Sequence, residues 1–77
     1  MSSKVDKKHL KIEFLVPKEK LRAARRAREL KTSEVAEIIG ISREQYEKKE
    51  AGKYPFQDYE MMVISNFFKQ SVTSLFF

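Results

Sequence analysis

Arg43, Glu44, Gln45, Glu47 and Lys48 crowd together just after Ser42. All are long polar side chains able to reach the edges of nucleic-acid bases. A guanidinium at Arg43 can span the O6 and N7 of guanine, and the amide of Gln45 can pair with adenine. Glu44 or Glu47 can accept a hydrogen bond from the N4 of cytosine. Lys48, a turn later, can reach guanine or a phosphate. An acid beside phosphates costs affinity. Glu44 and Glu47 therefore fit a DNA surface only if they read cytosine or hold Arg43 and Lys48 in place; otherwise they are solvated charge.

Catalytic chemistry has no comparable cluster. The chain has no cysteine, its one histidine is His9, and its only glycines are Gly40 and Gly52. No nucleophile–base set, disulfide, phosphate loop or metal-ligand cluster can be assembled from these, so neither enzyme activity nor a metal or cofactor is expected.

Base reading needs a helix that presents its N-terminal side chains. The stretch TSEVAEIIGISREQYEKKEAG, residues 32–52, supplies one. Thr32 and Ser33 can cap a first helix, with Val35, Ala36 and Ile39 on one face. Gly40 suits its left-handed end. Ile41 can plug the corner. Ser42 is a good N-cap for a second helix, which Gly52 stops. Two helices joined by a tight turn make a helix-turn-helix.

Val35-Ala36, Gly40-Ile41-Ser42, Arg43-Glu44 and Glu50-Ala51-Gly52-Lys53 together resemble the phage-repressor-type helix-turn-helix domains, the Xre-like or lambda-repressor-like group. Leu21 and Arg25 upstream, and residues 71–76 downstream, extend the resemblance over roughly 18–76. It implies an all-α bundle of four to five short helices that binds double-stranded DNA. It also implies that Arg25 pairs with Glu50 and is structural. Thr32 stands where the family often has a DNA-touching Gln. Being shorter, Thr32 is assigned with Ser33, Lys53 and Tyr54 to the phosphates, while Arg43, Glu44, Gln45 and Lys48 are assigned to the bases. The family's cap position falls on Lys31, so a helix start one residue late is expected.

The chain of 77 residues is one small domain with a thin core, and its net charge of +5 favours a polyanionic partner. No apolar run is long enough for a membrane helix, and MSSKVDKKHLK lacks the apolar core of a signal peptide, so a cytoplasmic location is expected.

Residues 1–16 read as an N-terminal arm and residues 17–77 as the helix-turn-helix domain. The first residues are either disordered or lie along DNA phosphates. Leu10, Ile12, Phe14 and Val16 alternate with Lys11, Glu13 and Leu15, as in a strand. This segment either pairs with its copy in a second protomer or packs as an extended lid over the helices. From Pro17 a helix is expected to run to Leu30, with a basic cluster adding to a DNA-facing field. KYPFQ reads as a loop. A fourth helix, from Phe56 or Gln57 to Lys69, carries a core stripe of Met61, Ile64, Ser65 and Phe68. Tyr59, Met62, Val63 and Phe67 give it a second apolar side. Ser71 caps a last short helix ending near Phe77.

The expected function is sequence-specific double-stranded DNA binding by a small bacterial or phage transcriptional regulator. A homodimer built from Leu10, Ile12, Phe14, Val16, Tyr59, Val63, Phe67 and Phe77 would read a palindromic operator. The alternative is a protein-interaction module on the same scaffold, resembling antitoxins or phage proteins that bind host factors.

Overall fold

The computed structural model describes residues 15–77. Those residues form an all-α bundle: α1 (Glu19–Ala27), α2 (Thr32–Ile38), α3 (Arg43–Glu50), α4 (Asp58–Phe68) and α5 (Val72–Phe76). No strand occurs among the described residues, and none of their helices is long and apolar enough to cross a membrane. Leu10, Ile12 and Phe14, expected in a strand, lie outside the described residues.

Leu21 from α1, Val35, Ala36 and Ile39 from the α2 region, Tyr46 from α3, Ile64 and Phe68 from α4, and Leu75 and Phe76 from α5 fill one core. Phe56 joins them from the loop before α4, where the sequence allowed it to start the helix. Its ring meets Tyr46 edge-on at 5.9 Å and Phe76 at 5.1 Å, so one aromatic ladder ties α3 to the chain end.

Four helices end alike. One residue turns left-handed, the residue after the C-cap in α1, α2 and α3 and the C-cap itself in α4, and the next amide reaches back to a carbonyl five residues earlier. Leu30, Ile41, Lys53 and Gln70 donate to Arg25, Ala36, Lys48 and Ser65 at 2.9–3.1 Å. Gly40 and Gly52 take the left-handed position after α2 and α3, as expected for glycine. Glu29 (φ 55°) and Lys69 (φ 59°) take it after α1 and α4.

Helix α1 is therefore shorter than the sequence predicts. It stops at Ala27, three residues short of the expected end at Leu30, because the chain reverses at Glu29. It also starts after Pro17. The Lys18 amide is committed to the Glu50 carbonyl at 2.8 Å, which holds Lys18 outside the helix as its N-cap. That bond lays the incoming chain across the end of α3. A Cβ on Gly52 would collide with the Val16 carbonyl and lie 2.7 Å from the Pro17 nitrogen. Gly52 is thus needed for both its φ of 86° and its lack of a side chain.

Candidate nucleic-acid interface

Helices α2 and α3 pack together across residues 39–42, with Ile41 half-buried at the corner. Neither Thr32 nor Ser33 caps α2, contrary to expectation. Lys31 stands at the N-cap, and the helix starts on time at Thr32. The Lys31 side chain has no acceptor to offer; instead its amide donates to Glu34 Oε1 at 2.8 Å. Ser42 does cap α3. Its hydroxyl accepts from the Gln45 amide at 3.1 Å, and Gln45 Oε1 accepts from the Ser42 amide at 3.1 Å. Gln45 therefore completes a reciprocal cap that the sequence reading missed, although Ser-x-x-Gln is its signature. Reading adenine with both amide atoms would require Gln45 to release that bond.

The inner side of α3 is clamped. Arg25 donates to Glu50 through Nε at 2.9 Å and Nη2 at 3.0 Å, and uses Nη1 on the Leu30 carbonyl at 2.9 Å. Tyr46 donates its hydroxyl to Glu50 at 2.6 Å, and Arg22 adds a longer contact at 3.4 Å. Burial alone would raise the Glu50 pKa. The hydrogen bonds from Arg25 and Tyr46, with the Arg25 charge, outweigh it and hold the carboxyl below its usual range. The same network raises the Arg25 pKa, chiefly through its bond to Glu50, and burial pushes the Tyr46 phenol up. A second clamp joins Lys49 to Glu60 at 2.7 Å, with the Glu60 side chain 1% exposed. Glu60 Oε1 also accepts from the Gln57 amide, so it fixes both the end of α3 and the start of α4.

The outer side of α3 presents Arg43, Glu44, Gln45 and Lys48 to solvent. Arg43 Nη1 contacts both oxygens of Glu47 at 3.3 and 3.2 Å. Glu47 Oε2 also accepts the Thr32 hydroxyl at 2.6 Å. That hydroxyl, and secondly Arg43, lowers the Glu47 pKa despite partial desolvation. Thr32 is thus tied to α3 in the free chain, while Ser33, Lys53 and Tyr54 stand exposed around it. The Lys48 ammonium lies 5.9 Å from the Tyr54 ring centroid, a cation–π arrangement that sets the loop beside the outer side of α3.

Three members of the basic cluster of α1 and its C-cap, Arg22, Arg25 and Arg28, are engaged within the fold. Arg25 and Arg22 are turned to Glu50. Arg28 reaches α4, donating to the Phe67 and Phe68 carbonyls at 3.3 and 3.0 Å and lying 4.9 Å from the Phe68 ring centroid. A cation at a helix C-terminus complements the helix dipole. Lys18, Lys20 and Arg26 have no carboxylate partner among the described residues. Helices α2 and α3, with the Lys31 cap, are themselves acidic on balance. Lys31, Arg43, Lys48 and Lys49 stand against Glu34, Glu37, Glu44, Glu47 and Glu50.

The second apolar side of α4 is open. Tyr59 and Met62 are 60% and 65% exposed, and Val63 and Phe67 are also exposed. Val16 and Phe77 are exposed too. Sequence reasoning missed Tyr46, Arg22, Lys49 and Glu60. Only Tyr46 carried a signal, as the one aromatic in an otherwise polar helix, one turn before Glu50. Among the described residues no group of His, Cys, Asp and Glu could hold a metal ion. Comparison with family models, curated proteins and solved structures finds no match to this chain.

Proposed function

We propose that this chain binds double-stranded DNA in a sequence-dependent manner, as a small transcriptional regulator of the lambda-repressor-like type that its sequence resembles. The observation that carries the reading is the two-sided construction of α3. Tyr46 and Glu50 are buried and fixed on one side, while Arg43, Glu44, Gln45 and Lys48 project from the N-terminal part of the other. Docking of a helix in the major groove uses side chains at that end. Lys53 and Tyr54 flank the helix where the duplex backbone would pass. The open side of α4 supports a homodimer, whose two-fold axis would place two copies of α3 in successive major grooves about 34 Å apart.

A second reading, docking onto a protein, has one specific observation in its favour: the acid excess on α2 and α3. Titration of duplex DNA at two salt concentrations separates the two. DNA binding gives an affinity that falls steeply with salt, and Lys53→Ala flattens that dependence while Arg43→Ala relaxes preference at one base position. A chain that binds no duplex at low salt belongs to the second reading.

A further inference from the structure

Thr32, Glu47 and Arg43 form a chain of contacts running from the first position of α2 to the first position of α3. The Thr32 hydroxyl donates to Glu47 Oε2 at 2.6 Å, and the same carboxylate receives Arg43 Nη1 on both oxygens at 3.2–3.3 Å. The Arg43 side chain is 58% exposed and that of Glu47 42% exposed, so the assembly lies on the surface. An arginine so exposed ordinarily samples many rotamers, and an exposed ion pair alone holds it weakly. Here the carboxylate is itself fixed from a second helix by a short hydroxyl bond.

The guanidinium is only partly used. Nη1 faces Glu47, whereas Nε and Nη2 have no partner among the described residues. Those two nitrogens form one edge of the planar fork, and that edge can donate twice to the O6 and N7 of a guanine. Two-point recognition therefore remains open while Glu47 keeps its grip on the third nitrogen.

We infer that Thr32 and Glu47 are positioning residues that pre-orient Arg43, so that its Nε–Nη2 edge reads one guanine in the bound duplex. This rests on the DNA-binding reading above. Glu47 then acts without touching DNA, and its charge is balanced by Arg43 and not turned toward phosphate. Thr32 acts through Glu47, and its task needs a hydroxyl and nothing longer.

The test puts the full-length chain, Arg43→Ala, Thr32→Val, Thr32→Ser and Glu47→Gln through selection from a random duplex library. Each is then titrated on the selected duplex and on its single-base variants. Thr32→Val keeps the shape and removes the hydroxyl; Thr32→Ser keeps the hydroxyl. Arg43→Ala is expected to lower discrimination at one guanine by about tenfold or more, the size of a bidentate arginine–guanine pair. Thr32→Val and Glu47→Gln should lower it at that same base pair, by a smaller factor than Arg43→Ala does. Thr32→Ser should match the wild type. Equal loss at every base pair would indicate general damage to the fold and overturn the positioning role. Unchanged discrimination in Thr32→Val, with a wild type that does select a site, would overturn this inference and leave DNA binding intact. A wild-type chain that selects no site overturns the DNA reading, and the inference with it.

Discussion

Arg25 and Glu50, 25 positions apart in sequence, meet as a two-point ion pair on the inner side of α3, at 2.9 and 3.0 Å. The pair joins α1 to the last turn of α3. Tyr46 completes it from the same helix as Glu50. Removing one member leaves a buried charge without its partner, and such losses run to about 3–5 kcal/mol. The single substitutions Arg25→Ala and Glu50→Ala, summed, should therefore destabilise more than the double substitution. The check is a double-mutant cycle by urea denaturation, with an expected coupling of about 1–3 kcal/mol. Additive effects would mean that the pair contributes nothing jointly.

Acid should weaken the fold through Glu50. Its folded-state pKa lies below the unfolded value, which is about 4.3 for a glutamate. Its contribution is then present above that unfolded value and is lost as pH falls through the lower folded-state pKa. Urea midpoints measured from neutral pH into this acid range should fall for the wild type. They should fall less for Glu50→Gln, which starts lower at neutral pH. Parallel curves for the two would exclude Glu50 as a source of the acid sensitivity.

The two glycines should respond differently to alanine. At Gly40 a Cβ meets nothing within 4 Å, so only the left-handed backbone is strained, at a cost of about 1–2 kcal/mol. At Gly52 the same strain is joined by collision with the Val16–Pro17 backbone. Gly52→Ala should therefore lower the thermal midpoint clearly more than Gly40→Ala does. The converse applies at Glu29, whose φ of 55° a glycine adopts without strain. Glu29→Gly should be neutral or stabilising, by up to about 1 kcal/mol.

Much of the fold was legible because its punctuation is local. Gly40, Ser42 and Gly52 bracket α3 by backbone preference alone. Two ends escaped because their signals are weak or non-local. Glu29 stops α1 inside an arginine-rich run that favours helix, and Pro17 is held out of it by the bond from Lys18 to the distant Glu50 carbonyl. The site was legible as a set of residue types, but not as a set of contacts. Gln45 read as a free amide although it caps its own helix. Glu60 gave no sign in the sequence that Lys49 would be brought to it. Arg28 read as part of a basic face, yet the end of α4 lies within its reach. The contacts of Glu60 and Arg28 depend on which helix ends become neighbours, and residue spacing along one helix does not carry that information; the Gln45 cap is local and its spacing was there to read.

Self-association should run through the open side of α4. Met62 is the most exposed residue of that side, at 65%. Sedimentation at tens of micromolar, about the range where modest interfaces are populated, should give a dimer for the full chain. Met62→Glu should give a folded monomer. A wild-type monomer, unchanged by removing residues 1–16, would contradict a dimer formed before DNA binding.

The central claim is that α3 reads base sequence. Selection of bound sites from a random double-stranded library, using the full-length chain, tests it most directly. The account predicts enrichment of a palindromic site whose halves lie about one helical turn apart, the spacing of two successive major grooves. Arg43→Ala should erase one position of that site. Enrichment of nothing beyond the starting library, with the protein folded and at low salt, would contradict it.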